Sequence, residues 1–423
     1  MNSDEEEYTV LSVEEGGITR LENNSFLTPD KPKHKVRTLS EVLAVSTKLG
    51  LTSFGGPIAH LGYFHEEYVR RRKWMDERSY ADLVALCQFL PGPASSQVGI
   101  GIGIIRGGLL GGLMAWLGFT LPSVIALVLF AFLMQGLDIS STGWIHGLKI
   151  VAVAIVAQAI LGMGQKLTPD RYRATIAIFT AAATLVWQTT FTPILFIVIA
   201  GIIGMIHFRE MTGIKTVDLF IPVSRNLAIV CLATFFGILI LLPVLTPLDR
   251  SGWLLFFDSF YRSGSLVFGG GHVVLPLLER EFVPAGLINK SDFLAGYGAA
   301  QAVPGPLFTF ASYLGAMMRG VPGALVATIA IFLPAFLLIV GALPFWNSLC
   351  KSSKIQGALI GINAAVVGIL LAALYDPLWT TAILTPVDFA LVCMLFLMLV
   401  FWKVPPWIVV VAGAAGGTIM NLL

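Results

Sequence analysis

The hexapeptide Phe89-Leu90-Pro91-Gly92-Pro93-Ala94 interrupts strongly apolar sequence, with Leu83 to Leu90 before it and Val98 to Ile105 after it. Pro-Gly-Pro cannot continue a helix, because each proline lacks a backbone donor and clashes with the preceding turn. In a soluble loop this would carry little information. At bilayer depth, non-helical backbone survives only where protein encloses it or where it lines a cavity, so a chain with such a break must fold around it. The break returns as Ala302-Val303-Pro304-Gly305-Pro306-Leu307, which marks it as a candidate site.

The recurrence runs through most of the chain. Phe54-Gly55-Gly56 returns as Phe268-Gly269-Gly270 after 214 residues, the Pro-Gly-Pro after 213, and Leu121-Pro122 as Leu333-Pro334 after 212. Gln88 and Gln301 stand three residues before each Pro-Gly-Pro, and Arg106 and Arg319 stand thirteen after its last proline. Shared hydrophobicity alone does not keep identities in step. Two halves, each with a pair of glycine- and proline-interrupted segments at matching positions, form the pattern of repeat-built secondary transporters, whose binding site lies at the breaks.

Composition decides what surrounds the breaks. Of 423 residues 56% are hydrophobic and 12% charged, with mean hydropathy +0.82, against a charged fraction of about 25% in soluble domains. The chain is therefore read as an all-α polytopic membrane protein whose first partner is the lipid bilayer. A net charge of +2, with the basic residues dispersed among loops, leaves no nucleic-acid surface. Cys87, Cys231, Cys350 and Cys393 lack CxxC or Cys/His spacing and are read as packing residues. His60, His65 and His272 lie near breaks without metal-ligand spacing. No Walker lysine or dinucleotide motif is present, so no catalytic residue, metal or cofactor is assigned. Asp4-Glu5-Glu6-Glu7 does not resemble the start of a signal peptide.

In chain order, residues 1–37 read as a disordered acidic tail, 38–210 as a first transport repeat, 211–250 as a connecting helix with its loops, and 251–423 as a second repeat. In the first repeat two broken elements, Leu39 to Arg72 and Ser79 to Ile105, have arms shorter than the ~20 apolar residues a crossing needs. Four spans follow near 107–135, 143–164, 172–188 and 192–208. A fifth near 226–245 has no counterpart. The scheme then repeats, with breaks near 253–282 and 291–319 and spans near 320–345, 355–375, 386–402 and 404–422. If each half crosses an even number of times, the single extra span inverts the second half. With a cytoplasmic N-terminus, the inner loops carry Lys166, Arg171, Arg173, Arg209, Lys215, Arg225, Lys351, Lys354 and Lys403. The outer loops near 136–142, 189–191 and 376–385 carry no Lys or Arg. That is the positive-inside distribution. It places the C-terminus outside a plasma (inner) membrane protein, and a homodimer is compatible with such a fold.

Each helix that restarts after a break, at Pro57, Pro93, Gly271 and Pro306, presents unbonded N–H groups and the positive end of its dipole, which together suit an anion. The glycines Gly55, Gly56, Gly92, Gly269, Gly270 and Gly305 let a solute approach the backbone. Ala94 and Leu307 follow the prolines directly. Gln88 and Gln301 are candidate oxyanion donors, or satisfy freed carbonyls. Lys48 and Arg262 repeat a cation at the same place, six residues before each Phe-Gly-Gly, and are candidate substrate contacts, with snorkelling or an Arg262–Asp258 pair as the plainer reading. For coupling or gating the candidates are Glu67 and Glu281, which also match, then Arg106, Arg319 and the unmatched Lys149. Interfacial salt bridges, helix-end capping and snorkelling are their plainer alternatives.

With Phe54-Gly55-Gly56-Pro57, Phe89-Leu90-Pro91-Gly92-Pro93-Ala94, and the duplicates Phe268-Gly269-Gly270-Gly271-His272 and Val303-Pro304-Gly305-Pro306, the chain over residues 38–422 resembles the chromate ion transporter family, long-chain type with two homologous halves. The resemblance implies movement of chromate across the membrane, with sulfate as its chemical analogue. A channel for the same oxyanions is the alternative, and an intramembrane enzyme lacks any constellation to support it.

Overall fold

Glycine and proline punctuate the helices where the sequence places them. The computed structural model describes residues 35–136, 143–187, 189, 192–208, 223–268, 271–345 and 352–422. Helix α1 (Lys35–Thr52) stops before Gly55 and Gly56, whose φ angles of 95° and 77° suit glycine. Helix α2 (Gly56–Phe64) restarts with Pro57 in its first turn and ends in a π-helical turn, His65–Arg71. The two strokes lie side by side, with Lys48 Nζ 2.8 Å from Glu67 Oε2 and Ser46 Oγ 3.1 Å from Tyr68 OH. They therefore form a hairpin that enters and returns.

A second hairpin follows. Helix α3 (Glu77–Phe89) and the start of α4 (Ala94–Gly136) flank Pro-Gly-Pro. Helix α4 is itself reversed at Gly107 and Gly108 (φ/ψ −137°/16° and 66°/−163°). A Cβ on Gly103 would lie 2.4 Å from the Gly111 carbonyl oxygen, a contact that a straight helix eight residues long cannot make. Residues 94–106 are thus the return stroke, and 109–136 the crossing. Helices α5 (Gly143–Leu167), α6 (Arg171–Val186) and α7 (Thr192–His207) complete the first half.

After α8 (Arg225–Leu245) the scheme repeats with α9 (Trp253–Ser265), α10 (Val274–Phe282), α11 (Lys290–Ala302), α12 (Phe310–Ala342), α13 (Ser353–Ala373), α14 (Pro386–Val400) and α15 (Pro406–Leu422). The reversal inside α12 falls at Arg319 and Gly320 (φ/ψ −141°/21° and 63°/−155°), and Gly315 packs on Gly323 as Gly103 does on Gly111. In structural register Arg319 therefore stands opposite Gly107, not Arg106. The equal count of thirteen from the prolines misaligns these two by one residue, because the shift between halves has already narrowed from 213 to 212 at the reversal.

Five helical segments, Ala94–Gln135, Gly143–Leu167, Arg225–Leu248, Leu307–Phe345 and Ser353–Ala382, are long and apolar enough to cross a bilayer, and no strand occurs among the described residues. The chain is an all-α, multi-pass membrane protein. Helices α6, α7, α14 and α15, also read as crossings, have only 16, 16, 15 and 17 residues, or about 24 Å of helix against a hydrocarbon core of ~30 Å. The halves interlock reciprocally. Helix α5 packs on α14 and α15, and its counterpart α13 packs on α6 and α7. Small residues permit this closeness. A Cβ on Gly147 would lie 2.1 Å from Gly413 O, and one on Gly204 2.2 Å from Gly357 O. Helix α8 lies against α9 and α12, where Tyr261 donates to Phe235 O at 2.9 Å, and leaves Ile240 and Val244 exposed.

Candidate functional site

The tips of the hairpins from the two halves meet. Gly92 N–H donates to Val267 O at 2.7 Å, and Gly305 N–H donates to Ser53 O at 2.9 Å. These are one contact made twice, since Gly92 and Gly305, like Ser53 and Val267, occupy matching places in the repeat. Both glycines adopt a left-handed φ, 109° and 106°, which turns the N–H across to the other half while the prolines on either side stop helix formation. A Cβ on Gly271 would lie 3.5 Å from Leu307 Cβ and 3.7 Å from Pro57 Cγ. Three of the restarts, Pro57, Gly271 and Pro306 with its neighbour Leu307, thus gather at one place, while Pro93 adjoins the Gly92 contact.

Polar side chains accompany the tips. His60 Nδ1 is 3.3 Å from Ser95 Oγ on the first turn of α4, and its ring stands edge-on to Phe119 at 5.4 Å. Gln97 Nε2 donates to Pro91 O at 2.8 Å, bracing the Pro-Gly-Pro segment. Ser123 Oγ donates to Thr120 O at 2.9 Å and lies 2.9 Å from where a Cβ on Gly305 would stand. The N–H groups of Ala94, Ser95 and Ser96 lead this turn and have no intrahelical acceptor. Sequence reading passed over Ser53, Ser95, Ser96, Gln97, Thr120 and Ser123. A usable signal existed, because these polar residues interrupt apolar sequence beside the breaks.

The structure ties both repeated cations to repeated carboxylates. Lys48 pairs with Glu67 at 2.8 Å, and Arg262 pairs with Glu281 at 3.0 Å and with Asp258 at 2.7 Å. Glu67, with a side chain 7% exposed, also receives Arg72 Nε at 2.8 Å. Lys48 and Arg262 are therefore neutralised within their own hairpins in this conformation and are not free counter-charges. Glu67, a buried side chain, and Arg262, a largely buried one, would be costly to leave without partners.

The other anticipated residues divide. Ala94 and Leu307 begin the return strokes beside the tips. Gln301 is half-buried with its Nε2 unpartnered, on the helix where Tyr297 OH bonds His272 Nδ1 at 2.8 Å, whereas its counterpart Gln88 is exposed. Gly55 is exposed at its tip and Gly56 half-buried; Gly269 and Gly270 lie outside the described residues. Arg106 sits 5.5 Å above Trp74 and 3.9 Å from Glu41. Arg319 lies 4.4 Å above Trp253 and donates to Gly252 O at 3.1 Å. Both serve the hairpin reversals rather than the tips. Lys149 is half-buried on α5 and interacts electrostatically with Asp292 of α11.

A family model described as chromate transporter matches residues 40–205 and 254–418. The chain is 27% identical over 386 residues to a chromate transport protein of Pseudomonas aeruginosa, covering 89% of this chain and 90% of that protein. It is 28% identical to a probable chromate transport protein of Synechococcus elongatus, over 80% of this chain and 84% of the relative. An uncharacterized transporter of Methanocaldococcus jannaschii is 29% identical, over 77% and 81%. No solved structure matches the chain. Two copies of one family module, joined by α8 and meeting at their interrupted helices, place this chain in the chromate transporter family.

Proposed function

We propose that the protein is a secondary transporter for chromate, or another tetrahedral oxyanion such as sulfate, working by the rocking of two inverted repeats about a midplane site where the breaks converge. The reciprocal hydrogen bonds Gly92–Val267 and Gly305–Ser53 carry this reading, since a contact exchanged between equivalent places implies an approximate two-fold relation between the halves. The single unmatched helix α8 and the basic inner loops support placing that axis in the membrane plane, with the N-terminus cytoplasmic and the C-terminus outside a plasma membrane.

Chromate and sulfate are dianions with four acceptor oxygens. Restarting helices offer converging N–H donors and dipole ends, which substitute for water around such a solute without covalent chemistry. On the inverted arrangement, Lys48–Glu67 lies toward the cytoplasm and Arg262–Glu281 toward the outside, so each pair sits where a gate to one vestibule belongs. Opening one pair while the other holds would admit the anion from one side only.

Purified protein in liposomes tests the reading. Chromate or sulfate should accumulate saturably under a proton, sodium or electrical gradient. Absence of flux under all three, from folded protein, refutes transport. Flux that does not saturate and carries a large conductance identifies a channel instead.

A further inference from the structure

The two halves match in backbone but not in the side chains around their meeting point. Buried polar atoms without a hydrogen-bond partner include Ser53 Oγ, His60 Nε2, Ser96 Oγ, Gln97 Oε1 and Thr120 Oγ1, on residues no more than 3% exposed. All five belong to the first half; beside the second Pro-Gly-Pro the second half has Gln301 Nε2, on a half-buried residue adjoining Tyr297. At the corresponding places the second half has Val267, Val274, Thr309, Phe310 and Phe332. Thr309, the only hydroxyl among them, donates to Pro306 O at 2.7 Å.

Their residues belong to the segments that form or adjoin the tips. Ser53 supplies the carbonyl that accepts from Gly305. His60 contacts Ser95 and Phe119, and Thr120 follows Phe119, whose carbonyl oxygen would lie 3.3 Å from a Cβ on Gly305. Ser96 belongs to the first turn of α4. His60 Nδ1 lies 3.3 Å from the Ser95 hydroxyl, and its Nε2 is buried without a hydrogen-bond partner. Gln97 differs, because its unpartnered atom is an acceptor and its Nε2 braces Pro91, which makes it a positioning residue. A fold that buries polar groups unpartnered gives up stability, and at four of the five matching places the repeat builds the same backbone with apolar residues.

We propose that the anion is bound one-sidedly. The first half holds it through uncharged polar groups, the hydroxyls of Ser53, Ser96 and Thr120 and the imidazole of His60, together with the leading N–H groups of α4. The second half contributes an apolar wall of Val267 and Phe332. No Lys or Arg side chain belongs to this set, so recognition is by hydrogen-bond acceptors on a small tetrahedral oxyanion rather than by a fixed counter-charge. This rests on the transport reading above and refines which residues serve it.

The test uses the purified full chain with Ser96→Ala and Thr120→Val, and Thr309→Val as the second-half control. Thermal unfolding is followed with and without chromate, and half-saturation is measured in liposomes. Neither first-half variant loses a hydrogen bond within the protein, so both should melt no lower than the parent without anion. Their chromate-dependent stabilisation should shrink, and half-saturation should rise about tenfold, the loss of one good hydrogen bond to a charged ligand. Thr309→Val should stay within about twofold of the parent for both anion-dependent readouts. If the parent transports chromate while Ser96→Ala and Thr120→Val keep its half-saturation, or if Thr309→Val weakens binding equally, the one-sided site is overturned and transport stands. If the parent shows no flux, the transport reading falls as well.

Discussion

Replacing Gly305 by alanine separates backbone strain from crowding, because the repeat supplies its own control at Gly92. The two glycines share nearly the same φ, 106° and 109°, so alanine at either place carries the same left-handed strain, roughly 1–3 kcal/mol. Their surroundings differ. A Cβ at 305 meets Ser123 Oγ at 2.9 Å and the Phe119 carbonyl oxygen at 3.3 Å, whereas at 92 the nearest atom is Gln97 Nε2 at 3.3 Å and the next is Ala335 Cβ at 3.6 Å. To make room, the Ser123 hydroxyl must leave its 2.9 Å bond to Thr120 O, a loss of about 1 kcal/mol. Gly305→Ala should therefore destabilise by about 3 kcal/mol and Gly92→Ala by about 2 kcal/mol. Ser123→Ala should cost about 1 kcal/mol in the parent and nothing further in Gly305→Ala, where that bond is already lost. Denaturant unfolding of the detergent-solubilised proteins measures the three single variants and the double. Equal losses for the two glycines, or additive losses for Gly305→Ala and Ser123→Ala, would refute the assignment of the excess to that hydroxyl.

Other expectations follow from the same contacts. Glu67→Gln and Glu281→Gln should each lower stability by about 1–2 kcal/mol, a moderate loss because Lys48 is 47% exposed and Arg262 keeps Asp258. The swap Lys48→Glu with Glu67→Lys should melt above either single variant, and a melt no higher would contradict the pairing. Pro57→Cys with Gly271→Cys, in a background without the native cysteines, should cross-link the halves readily with a short bifunctional reagent; failure to do so would separate those two break points. Gly147→Leu should prevent stable folding, by more than about 3 kcal/mol, since α5 and α15 touch there. Gly237→Leu on α8 should be tolerated, because a Cβ there meets nothing within 4 Å; expression and size-exclusion profiles distinguish the two.

Much of the hairpin scheme was legible in the chain because its causes are local. Gly55, Gly92 and Gly305 stand where φ turns positive, and the prolines beside them stop a helix whatever surrounds it. Pairing Lys48 with Glu67 was only half legible. Both residues are visible as repeats of Arg262 and Glu281, yet spacing cannot say that a hairpin will fold the two strokes together, so the sequence leaves Lys48 between substrate contact and snorkelling. Gln88 and Gln301 were equal in the sequence, but packing exposes one and half-buries the other.

The sequence by itself determined that this is a duplicated membrane protein with a helix break at four matched places, because glycine, proline and hydropathy act on the residues that carry them. Tertiary structure alone decided that Gly92 reaches Val267 and Gly305 reaches Ser53, that α5 lies on α15 while α13 lies on α7, and that Ser96 and Thr120 end up buried without partners. Those outcomes depend on contacts between residues far apart in the chain, where burial and hydrogen bonding are set by which surfaces meet and not by what any stretch prefers alone.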